Sequence, residues 1–151
     1  MEPGAELIGW DVTAFGVPQA SQPFAQGQFC QHLELSGAWL ERGHIGARDT
    51  RLLDSPLGLA SHKCMASIFF LAGSKIDNHR RCAALDAAWQ VIDSHSLRAT
   101  AGATSPGGQV IVVRVLAPLV EPAMDLVKQV WAAWRVHFWN LSAARPRIWA
   151  M

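Results

Sequence analysis

Two short runs of nearly unbroken apolar residues constrain this 151-residue chain more than any other feature. The first, Cys64–Ala72 (CMASIFFLA), is rich in Ile and Phe; the second, residues 109–116 (QVIVVRVL), is the clearest strand in the sequence. Short apolar runs rich in β-branched and aromatic side chains form strands buried in a core. Both runs are far short of the ~20 apolar residues that a helix needs to cross a bilayer, so neither points to a membrane. A chain of this length favours a single domain and can bury ~70% of its unfolded surface. Half of its residues are hydrophobic and 17% are charged, which excludes the composition of a disordered chain.

The segments around these strands supply the rest of an α+β fold with a mostly antiparallel sheet. Residues 6–17 alternate loosely and end at Gly16 and Pro18, and a turn-rich stretch with two prolines follows. Residues 29–35 alternate, with Phe29, Gln31, Leu33 and Leu35 on one side and Cys30, His32 and Glu34 on the other. The Ser36-Gly37 turn then predicts a hairpin partner over residues 38–45. Alternation of this kind suits an antiparallel sheet with one wet face. Two helices are predicted, over 74–94 and 121–140. Ser74 is expected to cap the first, with Asp77 three residues later, and Leu85, Ala88, Trp89 and Ile92 mark its apolar side. Pro122 suits the first helical position of the second, along which Val127, Trp131, Trp134 and Phe138 form a stripe. Residues 100–104 are expected to be extended, Pro106-Gly107-Gly108 to turn, and the terminal PRIWAM to form a last strand. Strands, then β-α-β-α-β, is an α+β order.

Net charge is +1, which gives no nucleic-acid signature. Its distribution is uneven. Residues 1–41 hold five acids and no Lys or Arg, a charge of −5, whereas the remaining residues hold all 13 bases and seven acids, a charge of +6. An acidic segment of this kind hints at a cation or a basic partner, against the plainer reading of a chance distribution of solvated charge. The amino terminus lacks a basic region followed by an apolar run, so no export signal is read there. Three scattered cysteines do not make a disulfide framework. A reducing, cytoplasmic setting is expected.

No constellation of side chains supports an enzyme. There is no G-x-S-x-G motif, and TSPGG lacks the Lys-Ser/Thr ending of a phosphate loop. His79 and Cys82, spaced i and i+3 on a predicted helix, could activate a thiol or share a metal, but such a pair is more often an exposed imidazole beside a small apolar residue. Cys64 near His62 falls short of the four ligands of a zinc site. Three carboxylates stand out instead. Asp11 and Glu41 each interrupt an apolar strand, where a charge needs a partner or water; Glu41 could simply face solvent or pair with an arginine, and Asp54 precedes a Ser-Pro turn that it could cap. Of the tryptophans near the end of the second helix, Trp131 and Trp134 lie on the stripe and are expected in the core. Trp139 and the nearby Arg135 are partner-interface candidates, since Trp and Arg are favoured at interface hot spots.

Six segments together resemble the urease accessory protein family UreD, also called UreH. They are GWDVTAFG, FAQGQF, Trp39-Leu40-Glu41-Arg42, LLDSPLGLA, TAGATSPGGQVIVVRVLA and PRIWAM, in the family's order and approximate spacing. The resemblance covers essentially the whole chain but only the carboxyl-terminal half, or slightly more, of the family pattern. The family's Gly-Gly-Asp-type stretch and Gly-Ala-x-Lys segment have no counterpart. Residues 1–151 are therefore expected to form a single, partial UreD-type domain.

The resemblance implies a chaperone and not an enzyme: a factor that binds urease apoprotein, UreF and the GTPase UreG while nickel is inserted into urease. It implies a β-rich, helicoid-like fold with two helices. It also implies a water-filled passage for nickel, with Asp11 and Glu41 at acidic positions of that kind. No tightly bound cofactor or tight metal site is expected, only nickel in transit. Nickel stands high in the divalent affinity order, so Cys/His clusters would hold it tightly, whereas a relay needs ligands that release it. Isolated carboxylates and water meet that need. His32, a further partner-interface candidate, stands where related sequences often carry arginine, and it would carry positive charge only when protonated. The alternatives are a metal-free module docking on UreF or urease, or a non-functional fragment.

Overall fold

The computed structural model describes residues 1–144 and is an α+β assembly built on antiparallel strands. In chain order the elements are β1 (Glu6–Ala14), β2 (Gly16–Val17), a 3-10 turn (Pro18–Ala20), β3 (Gln22–Pro23), β4 (Gln28–Leu35), β5 (Trp39–Gly46), α1 (Thr50–Asp54), β6 (Cys64–Ala72), α2 (Asn78–Ser94), β7 (Ala101–Gly107), β8 (Val110–Ala117) and α3 (Val120–Trp139). The two apolar runs pair with each other as β6 and β8 at the centre of a four-stranded sheet ordered β1-β6-β8-β7. β4 and β5 form a separate hairpin, and β2 and β3 a two-residue ladder.

Alternation divides the main sheet into two faces. Cys64, Ala66, Ile68, Phe70 and Ala72 of β6 join Ile111, Val113, Val115 and Ala117 of β8 in one core with α2 and α3. The helices supply Ala84, Ala88 and Ile92 from α2, and Leu126, Val130, Trp131, Trp134 and Phe138 from α3. Phe70 stacks on Phe138 with ring centroids 3.6 Å apart. The other face of the sheet carries the hairpin.

Both long helices begin differently from the sequence expectation. Ser74 does not cap α2; Asp77 does, accepting the N–H groups of His79 at 2.9 Å and Arg80 at 3.2 Å. Residues 74–76 precede the helix: Ile76 is buried and its N–H donates to the Gly108 carbonyl at 2.8 Å, which ties the segment to the β7–β8 turn. α3 starts at Val120, so Pro122 is its third residue and not its first. The first-turn N–H groups have no intrahelical acceptor, so proline is tolerated there too. The turn expected at Pro106-Gly107-Gly108 is displaced to Gly108 and Gln109. Pro106 lies in β7, an edge strand, beside an irregularity between Thr104 and Gly107, which is where a strand accommodates proline. The five-residue α1 is additional to the two predicted helices. The expected PRIWAM strand lies outside the described residues.

One polar knot ties the amino-terminal strand to both long helices. Arg80 of α2 forks onto the Glu6 carboxylate of β1, donates to the Phe138 carbonyl at 3.0 Å and lies 4.8 Å from the centroid of the Phe138 ring. Trp139 Nε1 donates to the same carboxylate at 2.7 Å. The Arg80 hydrogen bonds hold the Glu6 carboxyl below its ordinary pKa against the opposing effect of burial, and the Trp139 bond and the Arg80 charge add to the lowering. A carboxylate with a depressed folded pKa stabilises fully above its unfolded pKa, and that contribution fades as pH falls through the folded value. Glu6→Gln should therefore be less stable than the parent at pH 7, with the difference closing towards pH 3. Urea unfolding at stepped pH checks this, and a gap that stays constant with pH would contradict it.

Candidate functional site

The hairpin packs on the main sheet through the inward side chains of its alternating strands. At one end Leu35, Ala38 and Trp39 meet Phe69, Leu71, Val110 and Val112. At the other, Phe29 and Ile45 meet Met65, Leu116 and Phe15. The hairpin register places Gln31 opposite Gly43 and Leu33 opposite Glu41 between these ends. In the sheet, Asp11 pairs with Ser67 and Ser67 with Arg114, which makes one polar row across three strands. A polar layer thus separates two apolar clusters.

The layer is cross-linked from hairpin to sheet. Gln31 Nε2 donates to Asp11 Oδ2, and Arg114 Nη2 donates to Glu41 Oε2 as an ion pair. With strands ~4.8 Å apart, the backbones at Asp11 and Arg114 stand roughly 10 Å from one another. Beside the layer opens a cleft of about 480 Å³, whose lining includes Gln31, Glu41, Ser67, Thr100, Thr104 and Arg114. Asp11 is not part of that lining and meets it through the Gln31 amide. Chemically the layer offers carboxylate, amide and hydroxyl oxygens together with a guanidinium. Among the described residues no three His, Cys, Asp or Glu side chains are grouped so as to hold a metal ion.

The remaining residues singled out in the sequence lie elsewhere. His32 is on the outer, exposed side of the hairpin, opposite Arg42, with Nε2 3.2 Å from Glu34 Oε2. Arg135 is half-buried on α3 with its guanidinium 4.8 Å from the centroid of Trp131, and its Nε is buried without a hydrogen bond among the described residues. Trp139, expected to face a partner, is half-buried against the core with its indole N–H engaged by Glu6. Trp131 and Trp134 are core residues as expected. Asp54 accepts from Ser61 Oγ at 3.0 Å, and Ser55 Oγ accepts the Leu57 N–H at 3.1 Å, so the Ser hydroxyl and not Asp54 caps the Ser-Pro turn. Cys82 and His79 are both exposed on α2 with no hydrogen bond joining them among the described residues. Cys64 is buried, and burial, followed by the Glu121 charge, raises its thiol pKa, the opposite of an activated thiolate.

Among the described residues His95 is the buried polar side chain. The Leu97 N–H donates to its Nδ1 at 3.1 Å, so Nε2 carries the hydrogen and donates to Asp125 Oδ2 at 3.2 Å. That arrangement closes the end of α2. Sequence reasoning missed Gln31, Ser67 and Arg114 as members of the polar layer. A usable signal existed for two of them: Arg114 and Ser67 each interrupt the most apolar strands of the chain, as Asp11 and Glu41 do theirs.

Comparison with known proteins bears on what such a layer belongs to. The family model for the UreD urease accessory protein matches residues 1–150. The chain belongs to the UreD urease accessory protein family. It is 71% identical over 148 residues to the urease accessory protein UreD of Polaromonas naphthalenivorans (strain CJ2), covering 98% of this chain and 54% of that protein. The counterpart in Paracidovorax citrulli (strain AAC00-1) is 62% identical over 151 residues, all of this chain and 55% of that protein. The UreD of Leptothrix cholodnii (strain ATCC 51168 / LMG 8142 / SP-6) is 44% identical over 147 residues, 97% of this chain and 53% of that protein. The chain spans about half the length of the curated UreD relatives it matches. No helix among the described residues is long and apolar enough to cross a membrane.

Proposed function

We propose that this chain serves urease maturation as a non-catalytic, cytoplasmic accessory factor, working with UreF, UreG and urease apoprotein, and that its polar layer passes nickel towards urease. Family membership supports the maturation role. The observation that carries the conduit role is the convergence of Asp11 and Glu41, 30 residues apart in sequence, on one layer between hairpin and sheet. Oxygen ligands in small number bind a divalent cation weakly enough for onward transfer, which is the property a relay requires.

Substituting both Asp11 and Glu41 by Ala, with the urease genes co-expressed, is expected to lower the nickel content of urease severalfold while UreF still co-purifies. Normal nickel loading by the double variant would sink the conduit and leave the scaffold. A second reading, a docking module that carries no metal, is favoured by Leu57. That side chain is fully exposed at the tip of a loop pinned by Ser55 and by the Asp54–Ser61 hydrogen bond. Loss of UreF or urease binding in Leu57→Ser, with no effect of the acidic substitutions, would decide for it.

A further inference from the structure

Arg114 holds a position that the cation-relay reading leaves unexplained. It stands on β8, a central strand, and its neighbours on the hairpin-facing side, Val110, Val112 and Leu116, are apolar. The ion pair it makes is with Glu41, 73 residues away and contributed by the other layer. The two members of the pair differ in access: the Arg114 side chain is 44% exposed and that of Glu41 23%. The guanidinium is the more solvent-facing member, and both line the same cleft.

We propose that Arg114 is an electrostatic latch on the cleft: it occupies Glu41, and a divalent cation gains that carboxylate only when the guanidinium is displaced. This inference rests on the cation-relay reading and adds regulation to it. In the latched state Glu41 is neutralised and its oxygen is engaged by a donor, so a cation entering the cleft meets a like charge before it meets a ligand. With the latch open, Glu41 and the Ser67 hydroxyl on the neighbouring strand face the cation, and the Asp11 carboxylate follows one strand further on, met through the Gln31 amide. Arg114 is a positioning residue here: it is not a ligand and it acts through Glu41. A partner that offers its own carboxylate to Arg114 would open the cleft on docking, which couples assembly to cation uptake. Such coupling needs no movement of the sheet, because the element with two positions is one long side chain.

The test is equilibrium dialysis of the intact 151-residue chain against radiolabelled Ni²⁺, with circular dichroism to verify folding. Arg114→Gln is expected to tighten Ni²⁺ binding about tenfold, the scale of removing one nearby like charge from a partly solvated site. Arg114→Met, which suits an apolar strand face and removes the same charge, should show the same gain, and Arg114→Lys should stay near the parent. The Arg114→Gln/Glu41→Gln double variant should lose the gain, because the freed ligand is gone. The latch is overturned if Arg114→Gln and Arg114→Met bind Ni²⁺ as the parent does, or if the gain survives Glu41→Gln. Weaker binding in Glu41→Gln alone, without a gain in either Arg114 variant, removes the latch and leaves the relay standing. Binding that is indifferent to Glu41 and Arg114 alike removes both.

Discussion

Trp134→Ala is expected to cost about 3–5 kcal/mol, the range for emptying a fully buried aromatic site. Trp134 is 0% exposed and stands where α3 meets α2. Its indole Nε1 donates to the Ala84 carbonyl at 3.0 Å, and its ring packs edge-on to Phe138. Removing it leaves a cavity between the two helices and takes away a hydrogen bond that crosses them. The small side chains of α2 that face it, Ala84 and Ala88, have no reach with which to fill the space. Domains of ordinary size have about 5–15 kcal/mol of stability in total, so the variant should be extensively destabilised at 37 °C. Urea unfolding monitored by far-ultraviolet circular dichroism gives the difference directly. Trp134→Phe separates the two contributions: it restores most of the volume and should recover more than half of the loss. A loss below 1 kcal/mol for Trp134→Ala would mean that α2 and α3 do not pack as described.

Gly58→Ala comes next, at about 1–3 kcal/mol, the cost of forcing atoms into a filled space. Gly58 lies in LLDSPLGLA, whose loop folds back so closely that a Cβ on Gly58 would run into the carbonyl oxygen of Leu52. That oxygen cannot move aside, since it accepts the Leu59 N–H at 2.9 Å, and Leu59 is buried with Phe15 and Ile45. The obstacle is backbone rather than the tip of a flexible side chain, so the loop must shift as a whole. Because Leu59, Leu52 and Leu53 all join the apolar cluster at that end of the hairpin, a shift there loosens the hairpin's seat. The midpoint of thermal unfolding reports the loss. Proteolysis within residues 55–61 should accelerate even where global stability falls modestly. An unchanged midpoint together with unchanged cleavage would contradict the close approach.

What the sequence revealed follows from how local each determinant is. The apolar runs, the alternation of residues 29–35 and the Trp131/Trp134 stripe are properties of single segments, and all appear as read. The start of α2 is ambiguous in the sequence, because Ser74 and Asp77 are both good capping residues. The choice between them depends on Ile76, which is held by Gly108, 32 positions further on. α1 spans five residues, too few to develop a helical period. Asp11 and Glu41 were visible as charges out of place in apolar strands. That an arginine could answer Glu41 is legible too; which arginine, and that Gln31 answers Asp11, is not, because Gln31 and Arg114 meet them across a gap between layers that only packing creates. Trp139 shows the same limit in reverse. An aromatic at the end of a helix reads as surface until the amino-terminal strand supplies Glu6 to engage it.

The polar layer has a consequence for folding that is separate from any traffic of ions. Apolar contacts alone tolerate a sliding hairpin, because a shift of two residues keeps every inward side chain pointing inward. Such a shift here would carry Gln31 and Glu41 over Met65 and Leu116 or over Phe69 and Val112, and would strand Asp11 and Arg114 without partners. Asp11 is half-buried and the Arg114 side chain is 44% exposed, so water offsets part of each loss and the cost stays below the about 1–3 kcal/mol of a fully buried unpaired group, yet it still weighs against every displaced seat. The two cross-layer pairs therefore act as registration marks. They give the hairpin a single address on the sheet at a location where hydrophobicity by itself would leave several.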